Sequence, residues 1–170
     1  GQELSCLLVG HHQYPTIVAI ENGPADTIEA GFTFSPDQTF SFVTDSQQAV
    51  IFSASVEDSA GGNQKRIIAL HDGKSVDSVL IEGDSLNSND SPIVSSIPNT
   101  PIVFSADSRL AIIAQIQSNQ GGPQSVILTG DSGNLHPHVS AYQPYNGLPQ
   151  DSMISEFFAP VSLDEDHLIF

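Results

Sequence analysis

The sequence predicts an all-β fold built from three tandem four-stranded antiparallel blade-like units, arranged as a propeller or as a stacked array of sheets. Three observations predict it. Short apolar runs rich in Val, Ile and Phe alternate with Gly, Pro, Asn, Asp and Ser, which is the punctuation of strands and turns. No window of eleven or more residues keeps a helical apolar stripe between turn signals. The pattern also recurs about every 60 residues, the mark of a repeated supersecondary unit. Ser5-Cys-Leu-Leu-Val-Gly10 with Thr16-Ile-Val-Ala-Ile-Glu-Asn22 aligns with Arg66-Ile-Ile-Ala-Leu-His71 and Asp77-Ser-Val-Leu-Ile-Glu-Gly83. The opening of the pattern returns at Ser125-Val-Ile-Leu-Thr-Gly130. Asp45-Ser-Gln-Gln-Ala-Val-Ile51 aligns with Asp107-Ser-Arg-Leu-Ala-Ile-Ile113 and, more loosely, with Asp164-Glu-Asp-His-Leu-Ile-Phe170.

The whole chain is therefore read as a single repeat domain, with units at 5–65, 66–124 and 125–170. The first is expected to hold strands at Cys6–Val9, Thr16–Ile20, Thr39–Val43 and Ala49–Val56. The second holds Arg66–Leu70, Ser78–Ile81, Ile102–Ser105 and Ala111–Gln117, and the third Val126–Thr129, Val139–Tyr142, Glu156–Val161 and His167–Phe170. Asp72-Gly73 sits in a tight hairpin position, and Gly10-His11 and Gly130-Asp131 fall at similar places. Asp45-Ser46 and Asp107-Ser108 precede the last strand of a unit, where their side chains accept hydrogen bonds from nearby amides and fix a turn. Ala60-Gly-Gly-Asn-Gln64 and Gln120-Gly-Gly-Pro-Gln124 link successive units. Longer segments, Glu21–Gln38, Glu82–Thr100 and Gln143–Ser155, hold most of the Pro and Asn; as loops on a fixed scaffold they are where binding is expected. Three blades do not close a ring by themselves, so an apolar face is left at each end.

Composition narrows the function. The chain has 170 residues, 39% of them hydrophobic, enough for one domain with a core. Its net charge is −16, with Lys65, Arg66, Lys74 and Arg109 as its only Lys and Arg residues. Such a surface repels nucleic acid and anionic membranes. No apolar run approaches the roughly 20 residues that span a bilayer as a helix, so no membrane insertion is expected. Gly1-Gln-Glu-Leu4 has neither a basic n-region nor an apolar h-region. Low lysine with abundant Ser, Gln, Asp and Gly suggests the mature form of an extracellular or cell-surface protein. Cys6 is the sole cysteine, which excludes an intrachain disulfide; it aligns with Ile67 and Val126 and is expected to be a small buried apolar residue.

Once aligned, the repeat resembles the bacterial extracellular tandem repeats of the Asn-x-x-Gly-x-x-Ala-Phe type. Ile20-Glu-Asn-Gly23 and Ile81-Glu-Gly-Asp84 match the first part of that pattern, and Asp45-Ser-Gln-Gln-Ala-Val-Ile-Phe52 and Asp107-Ser-Arg-Leu-Ala-Ile-Ile113 match the second. Asp stands where those repeats have Asn, and Gln48, Leu110 and His167 stand where they have Gly. The resemblance implies a secreted or surface-anchored protein and supplies no catalytic residues.

Few constellations suggest chemistry. His136 and His138, flanking Pro137, are the best metal candidates, with Asp131, His11 or His12 as further ligands, although Pro137 favours an exposed loop. Asp164 and Asp166 offer carboxylates to Ca²⁺ but lack the spaced order of a dedicated loop. No other cofactor is expected. Tyr142, Gln143, Tyr145 and Asn146 form a candidate glycan-stacking loop. Glu156 with Asp151 or Asp164 is a weak glycosidase pairing, and Asn89-Asp-Ser91 a weak glycosylation acceptor because Pro92 follows. No Gly-x-Ser-x-Gly elbow, phosphate loop, dinucleotide fingerprint or zinc cysteine pattern occurs. An enzyme is not expected.

The ends carry more. His167-Leu-Ile-Phe170 is an apolar strand without a polar tail, as expected where a strand is buried in a partner or interrupted at a boundary. Unpaired strand edges recruit strands from other molecules. The expected function is self-assembly into a filament or ring through Leu168, Ile169 and Phe170 at one end and Leu4, Cys6 and Leu7 at the other. The alternative is a lectin-like propeller completed by oligomerisation, with glycan as the partner.

Overall fold

A computed structural model describes residues 4–10, 15–36, 40–44, 49–58, 60–86, 92–105, 108–117, 121–145, 148–149, 152–158, 162–163 and 168–169. These are all-β, with no helix among them. The chain divides into two compact units, Gly1–Ile81 and Glu82–Phe170, where the sequence reading placed breaks at 65/66 and 124/125.

In the first unit, β1 (Cys6–Val9) and β2 (Thr16–Ile20) form a two-stranded hairpin, both with the bounds expected from sequence. A second, open antiparallel sheet follows in the order β3 (Phe32–Phe34), β5 (Val50–Asp58), β6 (Gln64–His71) and β7 (Val76–Ile81), with β4 (Ser41–Thr44) also paired to β5. In the second unit, β8 (Ile93–Ser96), β10 (Leu110–Gln117), β11 (Pro123–Asp131) and β12 (Asn134–Ser140) repeat that order, and β9 (Val103–Phe104) pairs β10 as β4 pairs β5. A last two-stranded pair joins β13 (Ser162–Leu163) to β14 (Leu168–Ile169).

The register makes the repeat physical. Cys6 lies opposite Ile20, Ile67 opposite Ile81 and Val126 opposite Ser140. In each of these three hairpins the register slips at the same step: Leu7/Leu8, Ile68/Ala69 and Ile127/Leu128. A bulge bends the strand and strengthens its twist, and here it stands at one fixed place in all three hairpins. The residue after each hairpin also recurs. Asn22 (φ 59°), Gly83 (φ 96°) and Tyr142 (φ 59°) all occupy the left-handed region. Their amides donate to Phe34 O, Val94 O and Ile154 O respectively, turning the chain back to the sheet.

Three sequence expectations change. First, Glu21–Gln38 and Glu82–Thr100 are not free loops, because each returns a strand, β3 or β8, to its sheet. Gln143–Ser155 is bridged within itself, Pro144 to Met153. Second, Ala49 and Ala111 are not equivalent. Val50 lies opposite His71 and Leu110 opposite Gly130, so the last strand is shifted by two residues from the Asp-Ser alignment. A two-residue shift keeps every side chain on its face and leaves no trace in the apolar pattern. Third, the described part of Glu156–Val161 carries no strand; the strand falls at Ser162–Leu163. The paired Asp45-Ser46 and Asp107 lie outside the described residues.

The core follows from strands apolar on both faces. Ile67, Ile68 and Ala69 of β6 and Val126, Ile127 and Leu128 of β11 are all buried. Each such Ile or Leu contributes roughly 1.5–3 kcal/mol over leaving it in water. In the first unit Leu7 and Ala19 of the hairpin pack with Phe34, Phe52, Ile67 and Ile81 of the sheet. Lys65 closes this unit at its rim, with Nζ 2.8 Å from Glu29 Oε1 and 5.2 Å from the Phe32 ring centre.

Candidate functional site

Two hairpin turns show how the sequence builds rigid ends. Asp72 Oδ1 accepts from the Lys74 amide at 2.8 Å and the Ser75 amide at 2.9 Å, and Gly73 takes φ 92° beside it. These amide hydrogen bonds, Ser75 first, hold the Asp72 carboxyl below its ordinary value. Asp58 Oδ1 likewise accepts from the Gly62 amide at 2.9 Å and the Ala60 amide at 3.1 Å, and its carboxyl is lowered chiefly by Gly62. Gly130 (φ 143°) has no room for a side chain, since a Cβ there would meet the Asn134 carbonyl.

Against this regular background the β1–β2 hairpin stands out. Strand β6 is flanked by β5 and β7, and β11 by β10 and β12, whereas among the described residues β1 is paired with β2 alone. Its outer face is bare. Leu8 is 50% exposed and Ile17, directly opposite it, 58% exposed. The counterparts of Leu8 in β6 and β11, Ala69 and Leu128, are 0% exposed, whereas those of Ile17, Ser78 and Pro137, are exposed as Ile17 is. Cys6 is exposed, which corrects the expectation of a buried core residue. Its position does match that of the buried Ile67 and Val126, but position in a repeat does not supply the neighbour that covers it. Leu4 is exposed as well. Leu7 is not: it points into the core with Ala19, so it belongs to packing rather than to an exposed assembly surface. No charged residue lies in β1 or β2. The hairpin is tied down at its base, where Glu21 N donates to Ser5 O at 2.9 Å and Ser5 N donates to Glu21 Oε2 at 3.0 Å.

At the other end, β14 carries Leu168 and Ile169, and β13 is its partner in a two-stranded sheet. Phe170 lies outside the described residues.

The remaining candidates separate. Tyr142 is 65% exposed and Gln143 is exposed, but Tyr145 is half-buried against Val139 and Phe157, with its Oη donating to His138 O at 2.9 Å. Tyr145 therefore serves packing, and Asn146 lies outside the described residues. His136 and His138 are exposed on β12, a strand and not the loop expected from Pro137. Pro137 is tolerated because among the described residues β12 is an edge strand with no ladder partner on its outer side. His138 occupies the bulge, where the other two hairpins have Val18 and Val79. Among the described residues no three His, Cys, Asp or Glu side chains come together as a metal site. Asp164, Asp166, Asp151, His11, His12 and Asn89-Asp-Ser91 lie outside the described residues, and Glu156 is exposed.

Leu8 and Ile17 are the functional candidates that sequence reasoning missed. Their apolar character was visible, but exposure is set by the absence of neighbours rather than by their own chemistry. Comparison of the chain with protein-family models, with curated proteins and with solved structures finds no match to any of them.

Proposed function

We propose that this chain is a non-enzymatic structural or interaction protein that self-assembles through its open repeat ends. One observation carries the reading. The β1–β2 hairpin has the register and bulge of β6–β7 and β11–β12 but exposes Leu8 where those hairpins bury Ala69 and Leu128, and the apolar Ile17 lies exposed directly opposite it. A second copy covering that face removes the cost of exposing it. The exposed aromatic and aliphatic side chains of Tyr142, Met153 and Phe158 add apolar surface in the second unit. In the same reading the sheets are blades of a propeller-like or stacked array. The setting is extracellular or cell-surface, as the resemblance to the Asn-x-x-Gly-x-x-Ala-Phe repeats implies. The assembly is a filament if successive contacts do not close and a ring if they do.

Charge sets the conditions. Copies carrying −16 each repel one another, and contact is least opposed at the uncharged hairpin. Raising salt screens that repulsion, so association strengthens with ionic strength. Mass in solution, measured across concentration at low and high salt, tests the proposal together with negative-stain microscopy. A species that grows with concentration and salt is expected; an 18.0 kDa monomer under every condition sinks it. Leu8→Ser with Ile17→Ser is expected to weaken association about tenfold to a hundredfold, from roughly 1 kcal/mol of apolar burial lost per side chain. An unchanged association constant would remove these two residues from the interface.

Glycan binding is the second reading, favoured by the exposure of Tyr142 and Gln143. A glycan array on which the protein and a Tyr142→Ala variant give the same signal discards it.

A further inference from the structure

We infer that the free edge of β1 is the acceptor for β14 of a second copy, in one defined register, so that Gly10 faces Leu168 and Val9 faces Ile169. The inference rests on the assembly reading above and adds the partner strand, its direction and its alignment.

The argument is one of matching parts. Two complete sheets share a segment in which strands follow the order β4–β5–β6–β7 and β9–β10–β11–β12. The chain's two remaining pairs are the halves of a third such segment. The β1–β2 pair has the register and bulge of β6–β7 and β11–β12. The β13–β14 pair has the antiparallel arrangement of β4–β5 and β9–β10. Among the described residues each stands as a two-stranded sheet. Joining β14 of one copy to β1 of the next gives β13–β14–β1–β2, the segment already formed twice.

The register follows from the same comparison. Val50 closes the β4 pairing opposite Thr44, and Leu110 closes the β9 pairing opposite Phe104. Leu168, opposite Leu163, holds that place in the third copy. Val50 lies opposite His71 and Ile51 opposite Leu70; Leu110 lies opposite Gly130 and Ala111 opposite Thr129. Gly10 and Val9 occupy the positions of Gly130 and Thr129, and Gly10 shares the positive φ of Gly130, at 124° against 143°. Antiparallel pairing at these positions satisfies the outward N–H and C=O groups of β1, which β2 does not reach.

The test uses single cysteines in a Cys6→Ser background. One protein carries Val9→Cys and the other Ile169→Cys; they are mixed and oxidised. Directly opposed residues in an antiparallel pair are about 4.5–5.5 Å apart at Cα, within disulfide reach. A cross-linked dimer at twice the 18.0 kDa chain mass is expected from the mixture and not from Val9→Cys alone. Replacing Ile169→Cys by Leu168→Cys places the thiols on opposite faces, and loss of the dimer is expected. No cross-link from a mixture that still assembles overturns this pairing and leaves assembly through another surface standing. A protein that stays monomeric at every concentration overturns both. A single chain carrying both cysteines that gives only an internally cross-linked monomer overturns the choice of a second copy. Hydrogen exchange on the unsubstituted protein gives an answer that no substitution can disturb. The β1 amides facing away from β2 gain protection as concentration rises while β6 and β11 stay unchanged; concentration-independent protection of β1 overturns the inference.

Discussion

The hairpins β1–β2 and β6–β7 are the same structure in different surroundings. Both slip register at the same step, and both hand the chain to a residue of positive φ, Asn22 or Gly83. Yet Ile67 is fully buried and Cys6 is exposed. Backbone geometry is thus local, set by the strand pattern and its bulge, while burial depends on which strand lies beside the hairpin. The sharpest way to break the comparison is to cut the same position in both. Ile67→Ala leaves a cavity between packed sheets and is expected to lower stability by roughly 2–5 kcal/mol. Cys6→Ala, at the matching place, is expected to change it by less than about 0.5 kcal/mol. Urea unfolding of both variants at a concentration where the protein is monomeric reads the difference. Equal costs would mean that Cys6 is covered in solution and that the end is not open.

The same contrast explains what could be read from the sequence. Strands β1 and β2 were legible to the residue, because each is a compact apolar run bounded by turn residues. Strands β3 and β8 were not: Phe32-Thr-Phe34 and Ile93-Val-Ser-Ser96 are short and lie within Pro- and Asn-rich segments, so tertiary pairing rather than local pattern makes them strands. The two-residue offset between β5 and β10 was invisible because strand side chains alternate with a period of two. Of the candidate site, Leu4 is exposed just before β1 and Leu168 and Ile169 lie in β14, while Leu7 proved to be core. Leu8 was missed because the alignment gives a residue its place but not its neighbours, and Ile17 because it is an apolar residue at a place that is exposed in all three hairpins.

A smaller effect sharpens the comparison at the residue that closes each hairpin. Asn22, Gly83 and Tyr142 hold one backbone conformation with three side chains. Glycine reaches the left-handed region freely, whereas other L-residues pay about 1 kcal/mol there, Asn least among them. Gly83→Ala is therefore expected to destabilise by about 1 kcal/mol, and Tyr142→Gly to stabilise by about 0.5–1 kcal/mol. Thermal unfolding distinguishes these signs. If Tyr142→Gly destabilises, the exposed ring makes a contact that outweighs its backbone strain.

The smallest expected effect is in the turns, and its sign can be stated. The carboxyls of Asp58 and Asp72 are held below the ordinary value of 3.8 by amide hydrogen bonds present in the folded turns. A group lowered on folding contributes stability that is fully present above its unfolded value and is lost as pH falls through the folded one. Stability is therefore expected to fall as pH drops below 3.8, through two turns that lie at the surface. Asp72→Asn keeps an oxygen to accept from Lys74 N and Ser75 N but removes the titration. The double variant Asp58→Asn with Asp72→Asn should then show a flatter acid limb in urea midpoints measured between pH 5 and pH 2, starting from a slightly lower midpoint at pH 7 and converging with the unsubstituted protein in acid. A limb as steep as that of the unsubstituted protein would place the acid sensitivity elsewhere among the chain's 20 acidic residues.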